Sequence, residues 1–332
     1  MFKDIVQWIY WYPFKFFIQV IPLSSVYRLG KIFGIFSFFL LRGKKVSFKK
    51  ELRKIFPDHL DDSTSDQIVK RAFIDGLQAE LEVLLFSKLN TKNIFSLVQC
   101  SGLENLDSAL VSGKGVMLLF AHFGANQMIM PAVGYRGYKM NQISAPPMVW
   151  VEKLPKKKFS PMNKKALELR WEQELSLPVK HVNVFSSLKE AFFCLKHNEI
   201  LGIAMDGGGG KDRIGVDFLG RKAFFSTGAL EIAIRTGCTV LPVFMVRDQQ
   251  GGNTMIVEPP LEIVDEGTKR EMIQKSMNCF VKRLEWYVLK YPYHYLKFLA
   301  LRQFMTEQGD IPLFTPGESY EDITDQTSLH QA

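Results

Sequence analysis

From residue 115 onward the chain alternates short apolar runs with helical periods, and that alternation leaves few folds open. GVMLLF (115–120), ILGIAM (200–205) and TVLPVFMV (239–246) are continuous apolar runs of strand length, and NQISA (141–145), VKHVNV (179–184) and TMIVE (254–258) are weaker strands. Helices are expected near 126–135, 162–174, 186–197, 227–236 and 267–290. Unbroken hydrophobicity means that both faces of a strand are covered. Strands separated by helices pair in parallel through crossovers rather than as hairpins. The expected fold class is therefore α/β, with a mostly parallel central sheet flanked by helices. A further helix over 63–90 precedes the sheet, with Thr64 and Gln67 as a capping box and an apolar period through Ile68, Ala72, Leu77, Leu81, Leu84 and Leu85.

The N-terminus is of another kind. Residues 5–22 and 26–41 are rich in aromatics, but neither is a clean span of about 20 apolar residues. Pro13, Lys15 and Gln19 interrupt the first, and Arg28 and Lys31 the second. Trp8, Tyr10, Trp11 and Tyr12 are the amphipathic rings favoured where lipid meets water, and the basic run RGKKVSFKK (42–50) suits anionic headgroups. No small-residue cleavage site marks a signal peptide. Residues 1–45 are expected to form membrane-anchoring helices; the alternative is a greasy pair of core helices. Residues 46–305 then form the main domain, and 306–332 an acidic disordered tail.

Net charge is +8, unevenly spread. The tail carries six acids and no Lys or Arg, so the body holds 42 basic against 28 acidic residues. Such a body attracts phosphate-bearing partners: nucleic acid, anionic lipid or an acidic carrier protein. The greasy N-terminus and the lack of a nucleic-acid motif count against nucleic acid. Cys100, Cys194, Cys238 and Cys279 are far apart, without metal spacing, and read as reduced thiols. No metal site is expected.

In open parallel sheets, function gathers beyond the carboxyl ends of strands. Two segments stand there: AHFGANQ (121–127), after strand 115–120, and DGGGGKDR (206–213), after strand 200–205. His122 is a general-base candidate because imidazole titrates near neutrality; a helix-capping role is the structural alternative. Gly124 permits a tight turn. Gly207 and Gly208 open a run of four glycines whose backbone N–H groups can meet an anion or an oxyanion, or that simply turns. No phosphate-binding G-x-x-x-x-G-K-[ST], no dinucleotide G-x-G-x-x-G and no G-x-S-x-G nucleophile elbow is present, so a covalent acyl-enzyme is not indicated.

AHFG (121–124), ILGIAMD (200–206), VDFLGRKAFFSTGALEIAIRTGCTVLPVFMVR (216–247) and, more loosely, YPYHYLKFLALRQF (291–304) resemble the bacterial lipid A biosynthesis acyltransferase family. That family comprises lauroyl and myristoyl transferases and includes mycobacterial phosphatidylinositol mannoside acyltransferases. The resemblance covers roughly residues 5–305. It implies a glycerolipid-acyltransferase-like fold at the cytoplasmic face of a bacterial inner membrane. It also implies transfer of an acyl chain from acyl carrier protein or coenzyme A, as substrate rather than cofactor, to a hydroxyl or amine of a polar lipid or glycolipid. His122 matches the family's base. The family places an acid five residues later, where this chain has Gln127, whose amide oxygen can still accept the Nδ1–H and orient the ring without supplying a negative charge. Three readings follow: Asp206 replaces the missing acid; the acceptor is an amine needing less help; or the protein is a catalytically inactive lipid-binding homologue. Arg170 matches a family arginine that helps hold the acceptor's phosphate or the donor, with a surface helix arginine as the structural alternative, and Arg221 is a second phosphate candidate. Lys153, Lys156, Lys157 and Lys158 suit a carrier protein or headgroups, and Phe218, Phe224 and Phe225 an acyl groove; a solvated charge run and core packing are the structural alternatives.

Overall fold

The computed structural model describes residues 2–57, 60–153, 159–208, 210, 212–264 and 266–315. Nine strands are present among them: β1 (Val98–Ser101), β2 (Val116–Phe120), β3 (Met140–Ser144), β4 (Lys180–Asn183), β5 (Ile200–Ala204), β6 (Arg213–Phe218), β7 (Arg221–Ser226), β8 (Thr239–Arg247) and β9 (Asn253–Val257). Seven form one sheet in the order β1-β9-β8-β2-β5-β3-β4, and β6 and β7 form a separate antiparallel hairpin. Pairing is parallel from β8 through β2, β5 and β3 to β4. Only the β8–β9 pair of the sheet is antiparallel, and β1 lies parallel to β9. The fold is the expected α/β type.

β2 shows why an unbroken apolar run was needed. All five of its residues are buried. Met117 and Leu119 enter the core on one face of the sheet, and Val116, Leu118 and Phe120 the core on the other. A strand with both faces packed has no position left for a polar side chain. The six expected strands are all present, shifted by at most a residue or two. β1, β6 and β7 were not expected: β1 is a four-residue edge strand, and the hairpin intersperses buried positions with half-buried or exposed ones around a two-residue turn, Leu219–Gly220.

The long helix Asp62–Leu85 begins at a different cap from the expected Thr64/Gln67 box. Asp61 is the N-cap, and its carboxylate accepts the Thr64 N–H at 2.8 Å. A carboxylate placed there also faces the positive end of the helix dipole, which a threonine hydroxyl does not exploit. Asp75, Glu80 and Glu82 of this helix line the cavity at the sheet's functional end. Arg247, at the end of β8 and 1% exposed, donates to Glu82 at 2.7 Å and Gln78 at 3.0 Å. Asn253 and Tyr27 also donate to Glu82. A buried charge is tolerable only with such full partnering.

The N-terminal helices form a layer against this same helix. Pro13 lies within a π-turn (Tyr10–Phe14) and does not end the helical path from Phe2 to Val20, because the wider turn absorbs the N–H that proline lacks. Helix Leu23–Leu40 is long and apolar enough to cross a membrane by length and composition. It docks through Val26, Gly30, Gly34 and Phe38 and leaves Ile32, Phe33, Phe36, Phe39 and Leu40 exposed. Phe2, Trp8, Ile9, Tyr12, Phe16 and Phe17 are exposed as well. The layer thus has one packed face and one bare apolar face, combining features of both sequence alternatives.

Residues 306–315 are not part of a disordered tail. The closing helix Leu296–Glu307 runs into a segment that pairs with β7: Phe224 N–H donates to the Leu313 carbonyl and Thr315 N–H to that of Lys222. Arg302 and Asp310 form an ion pair beneath it, and Leu313 is buried. The remainder of the expected tail, 316–332, lies outside the described residues, as do Lys156, Lys157 and Lys158.

Glycine at 30 and 34 lets the N-terminal layer approach. A Cβ on Gly34 would stand 2.5 Å from the Ile74 Cα, and one on Gly30 2.7 Å from the Gln78 Cγ. Backbone cannot yield as a side chain can. Gly34→Val is therefore expected to destabilise the protein by about 1–3 kcal/mol, as overpacking does. Gly43→Ala, with nothing within 4 Å, should leave stability unchanged or slightly raised. Denaturation midpoints in detergent measure both; equal midpoints for Gly34→Val and wild type would contradict this packing.

Candidate active site

The parallel register of β2 and β5 builds the centre of the site. It pairs Phe120 with Ala204, and the Met205 N–H continues the ladder to the Phe120 carbonyl at 2.8 Å. Two residues beyond each strand end, His122 and Asp206 therefore stand side by side. The His122 Nδ1 lies 2.6 Å from Asp206 Oδ1, and the His122 backbone N–H donates to Oδ2 at 2.9 Å. The Asp206 side chain is fully buried, whereas the His122 side chain is 41% exposed.

The opposite wall comes from YPYHYLKF (291–298), a turn entering the closing helix. The Tyr295 hydroxyl donates to Asp206 Oδ2 at 2.8 Å. Burial, and then the adjacent carboxylate, push that phenol well above its ordinary pKa, so it keeps its proton and stays a donor. Phe298 stacks on the His122 ring, 4.7 Å between centroids and 1° from parallel. The carbonyl of His294 accepts the Gly124 N–H at 3.0 Å. Gly124 itself has φ of 62°, and a Cβ there would fall 2.0 Å from the Met245 carbonyl oxygen. Glycine is required at this turn, which fixes the loop that carries His122.

His122 and Gly124 line a cavity of about 330 Å³ together with Gln127, Arg170, Glu80 and Lys297. Gln127 does not reach the imidazole: its Oε1 accepts from Arg170 Nη2 at 3.0 Å. Arg170 is a cavity residue rather than a surface one, with Nη1 donating to Glu80 at 2.8 Å. Lys297 donates to the other Glu80 oxygen at 2.6 Å. Burial alone would raise the Glu80 pKa, but Lys297 and Arg170 outweigh it and hold the carboxyl below its usual range.

The remaining expected site residues lie elsewhere. Gly207 and Gly208 follow Asp206 but are not among the cavity lining; a Cβ on Gly208 would meet the Arg302–Asp310 pair. Arg221 lies over the Phe314 ring at 3.6 Å, on the hairpin, where the docked C-terminal segment covers it. Phe218 and Phe225 are buried in the core, packed edge to face against each other, and Phe224 flanks Gly215 on the hairpin, so none of the three lines the cavity. Tyr295, Phe298, Lys297 and Glu80 were not singled out from the sequence. The dense aromatic string at 291–298 was the available signal for the first three.

A model of the bacterial lipid A biosynthesis acyltransferase family matches residues 2–305, and the chain belongs to that family. It is an acyltransferase. No curated protein sequence matches it. Among solved structures, it is similar to the 1-acyl-sn-glycerophosphate (LPA) acyltransferase PlsC from Thermotoga maritima, at 17% identity over 79% of this chain and 95% of that one, with a TM-score of 0.34.

His294 supports the site from beneath. Its Nε2 accepts the Arg247 N–H at 3.1 Å and its Nδ1 lies 3.2 Å from Asp75. An Nε2 that accepts must be unprotonated, and burial lowers the pKa of this ring below the ordinary value of about 6.5. A base depressed in the fold contributes stability in full above the unfolded value and loses it as pH falls, because the unfolded chain takes the proton first. Thermal melts from pH 7.5 to 5 should therefore decline more steeply for wild type than for His294→Gln; parallel declines would show that His294 is not held neutral.

Proposed function

We propose that the enzyme transfers a fatty acyl chain from an acyl thioester, carried by acyl carrier protein or coenzyme A, to a hydroxyl or amine of a polar lipid or glycolipid, with His122 as general base. The observation that carries this reading is the buried Asp206 carboxylate on His122 Nδ1, with the rest of the ring in the wall of the cavity. A carboxylate in that position fixes the tautomer with a proton on Nδ1, leaves Nε2 to accept one, and stabilises the imidazolium that results. Gln127 offers neither charge nor contact with the ring. The inactive-homologue reading leaned on that glutamine, and Asp206 supplies what it lacks.

In the proposed sequence, Nε2 takes the proton of the acceptor O–H or N–H as that atom bonds to the thioester carbonyl carbon. The tetrahedral intermediate collapses by breaking the C–S bond, and the imidazolium returns the proton to the departing sulfur. The backbone N–H groups of His122 and Gly124 are already paired, with Asp206 and His294. A donor for the oxyanion is then the side-chain amide of Asn126 in the cavity wall. The bare apolar face of the N-terminal layer suits a membrane surface, where such lipids reside.

Lipid mass spectrometry of a host with wild type, with His122→Ala and without the protein tests the reading. A lipid one acyl chain heavier is expected with wild type alone. With that lipid as product, Asp206→Asn should lower the rate by about four orders of magnitude, as amide-for-carboxylate exchange does in a Ser-His-Asp triad. Gln127→Ala should cost less than about tenfold. Identical lipid profiles in all three hosts, with folded protein present, would overturn the acyl-transfer assignment; a harmless Asp206→Asn would overturn the role given to that residue.

A further inference from the structure

The glycine run 207–210 poses a mechanical problem. Asp206 stands immediately before it, and glycine backbone is the loosest a chain can offer. A carboxylate that must stay 2.6 Å from an imidazole needs the loop behind it held from outside. The hold comes from residues 309–315, which lie beyond the 2–305 matched by the family model. Arg302 donates through Nη1 to Asp310 at 2.5 Å and through Nη2 to the Ile311 carbonyl. The Gly208 backbone packs directly on that ion pair: a Cβ there would stand 2.7 Å from Arg302 Nη1 and 2.8 Å from Asp310 Oδ2. Gly210, at φ of 94°, packs in the same way on Ser226 at the end of β7, where a Cβ would fall 2.2 Å from the hydroxyl oxygen. A second route runs through rings. Phe314 stacks on Phe218, 6.1 Å between centroids and 2° from parallel, and Phe218 meets Tyr295 edge to face at 6.0 Å. Tyr295 is the phenol that donates to Asp206.

We propose that residues 309–315 are a strap belonging to the catalytic apparatus, with Asp310 and Phe314 as positioning residues that hold the glycine loop so that Asp206 stays on His122. The proposal rests on the reading of His122 and Asp206 as the acyl-transfer pair. Neither Asp310 nor Phe314 is among the cavity lining; they act through Gly208 and through Tyr295. The strap lies along β7 as an added edge strand, with Phe224 N–H on the Leu313 carbonyl at 2.7 Å and Thr315 N–H on that of Lys222 at 3.1 Å. Main-chain pairing fixes where the strap runs, and the ion pair decides what it presses on. Arg302 stands one turn beyond Phe298 on the closing helix, so the helix that stacks a ring on His122 also clamps the loop behind Asp206. The Arg302 and Asp310 side chains are 6% and 19% exposed. Desolvation offsets the attraction in a pair so buried, so what it provides is a fixed place for the loop rather than stability. Arg213 is within electrostatic reach of both charges, drawn to Asp310 and repelled by Arg302.

Two variants of the full chain in detergent test the strap. Arg302→Met combined with Asp310→Ala removes the pair without leaving a lone buried charge, and Phe314→Ala cuts the ring route. The first readout needs no substrate. The Nδ1 proton of His122, held against a carboxylate, gives a low-field NMR resonance in protein with isotope-labelled histidine, identified by its loss in His122→Ala. In both strap variants, at a temperature where each is folded by its melting curve, that resonance should broaden or vanish through exchange with water. The second readout is kinetic. On the lipid that mass spectrometry shows wild type to acylate, kcat should fall about a hundredfold for the double variant and about tenfold for Phe314→Ala, with KM within about twofold. A folded double variant that keeps the resonance would overturn the proposal, and so would a loss carried by KM instead of kcat. Loss of the resonance in the strap variants of a protein that acylates nothing would leave the strap standing and remove the acyl-transfer reading instead.

Discussion

The contact between His122 and Asp206 is where the architecture converges. Neither residue is near the other in sequence; 84 positions separate them. They meet because two apolar strands pair in parallel at one register. A slip by one residue would turn every side chain beyond the strand ends to the opposite face and separate the two. The register is enforced by burial on both faces of β2 and β5, so the hydrophobic core is what sets the distance between imidazole and carboxylate.

A second layer of support is aromatic. The string at 291–298 delivers three functions from eight residues: the His294 carbonyl to Gly124, the Tyr295 hydroxyl to Asp206, and the Phe298 ring to His122. Asp206 thus receives a ring nitrogen, a backbone N–H and a phenol, which is how a fully buried carboxyl group has its oxygens partnered and its orientation fixed. The cation cluster is kept apart from this arrangement by its own counter-ion, so the positive charge of Arg170 and Lys297 is neutralised at Glu80 instead of competing for Asp206.

Much of this was readable in advance, and the misses have physical causes. Unbroken apolar runs announce doubly buried strands, so the parallel sheet and the placing of His122 and Asp206 at strand ends followed from hydrophobicity alone. Which strands are neighbours does not follow, because crossovers leave strand order open; Asp206 therefore stood beside Gln127 as an equal alternative. Gln127 lies on the far side of the turn at Gly124, facing Arg170, a direction that loop geometry decides and spacing does not. The β6–β7 hairpin escaped notice because its turn, Leu219–Gly220, places a leucine at φ of 53°, which turn chemistry disfavours; burial of Leu219 and its N–H to Glu285 hold it there. Glu80 and Lys297 were invisible for a simpler reason: isolated charges on helices read as solvated, and only the packing of two helices 217 residues apart makes them a pair.

The glycine contacts between helix Leu23–Leu40 and helix Asp62–Leu85 have a mechanical consequence. At Gly34 the contact is with the Ile74 backbone and at Gly30 with the Gln78 side chain and Cα, and the second helix is the one that carries Glu80 into the cavity. The bare apolar face and the reactive centre are therefore parts of one stiff body, with no hinge between them. Seated in a bilayer by that face, such a body would hold its imidazole at a single height and tilt relative to the lipid headgroups. A substrate atom above or below that plane would be out of reach, whatever its chemistry, so the mounting of the enzyme would act as a ruler for regioselectivity.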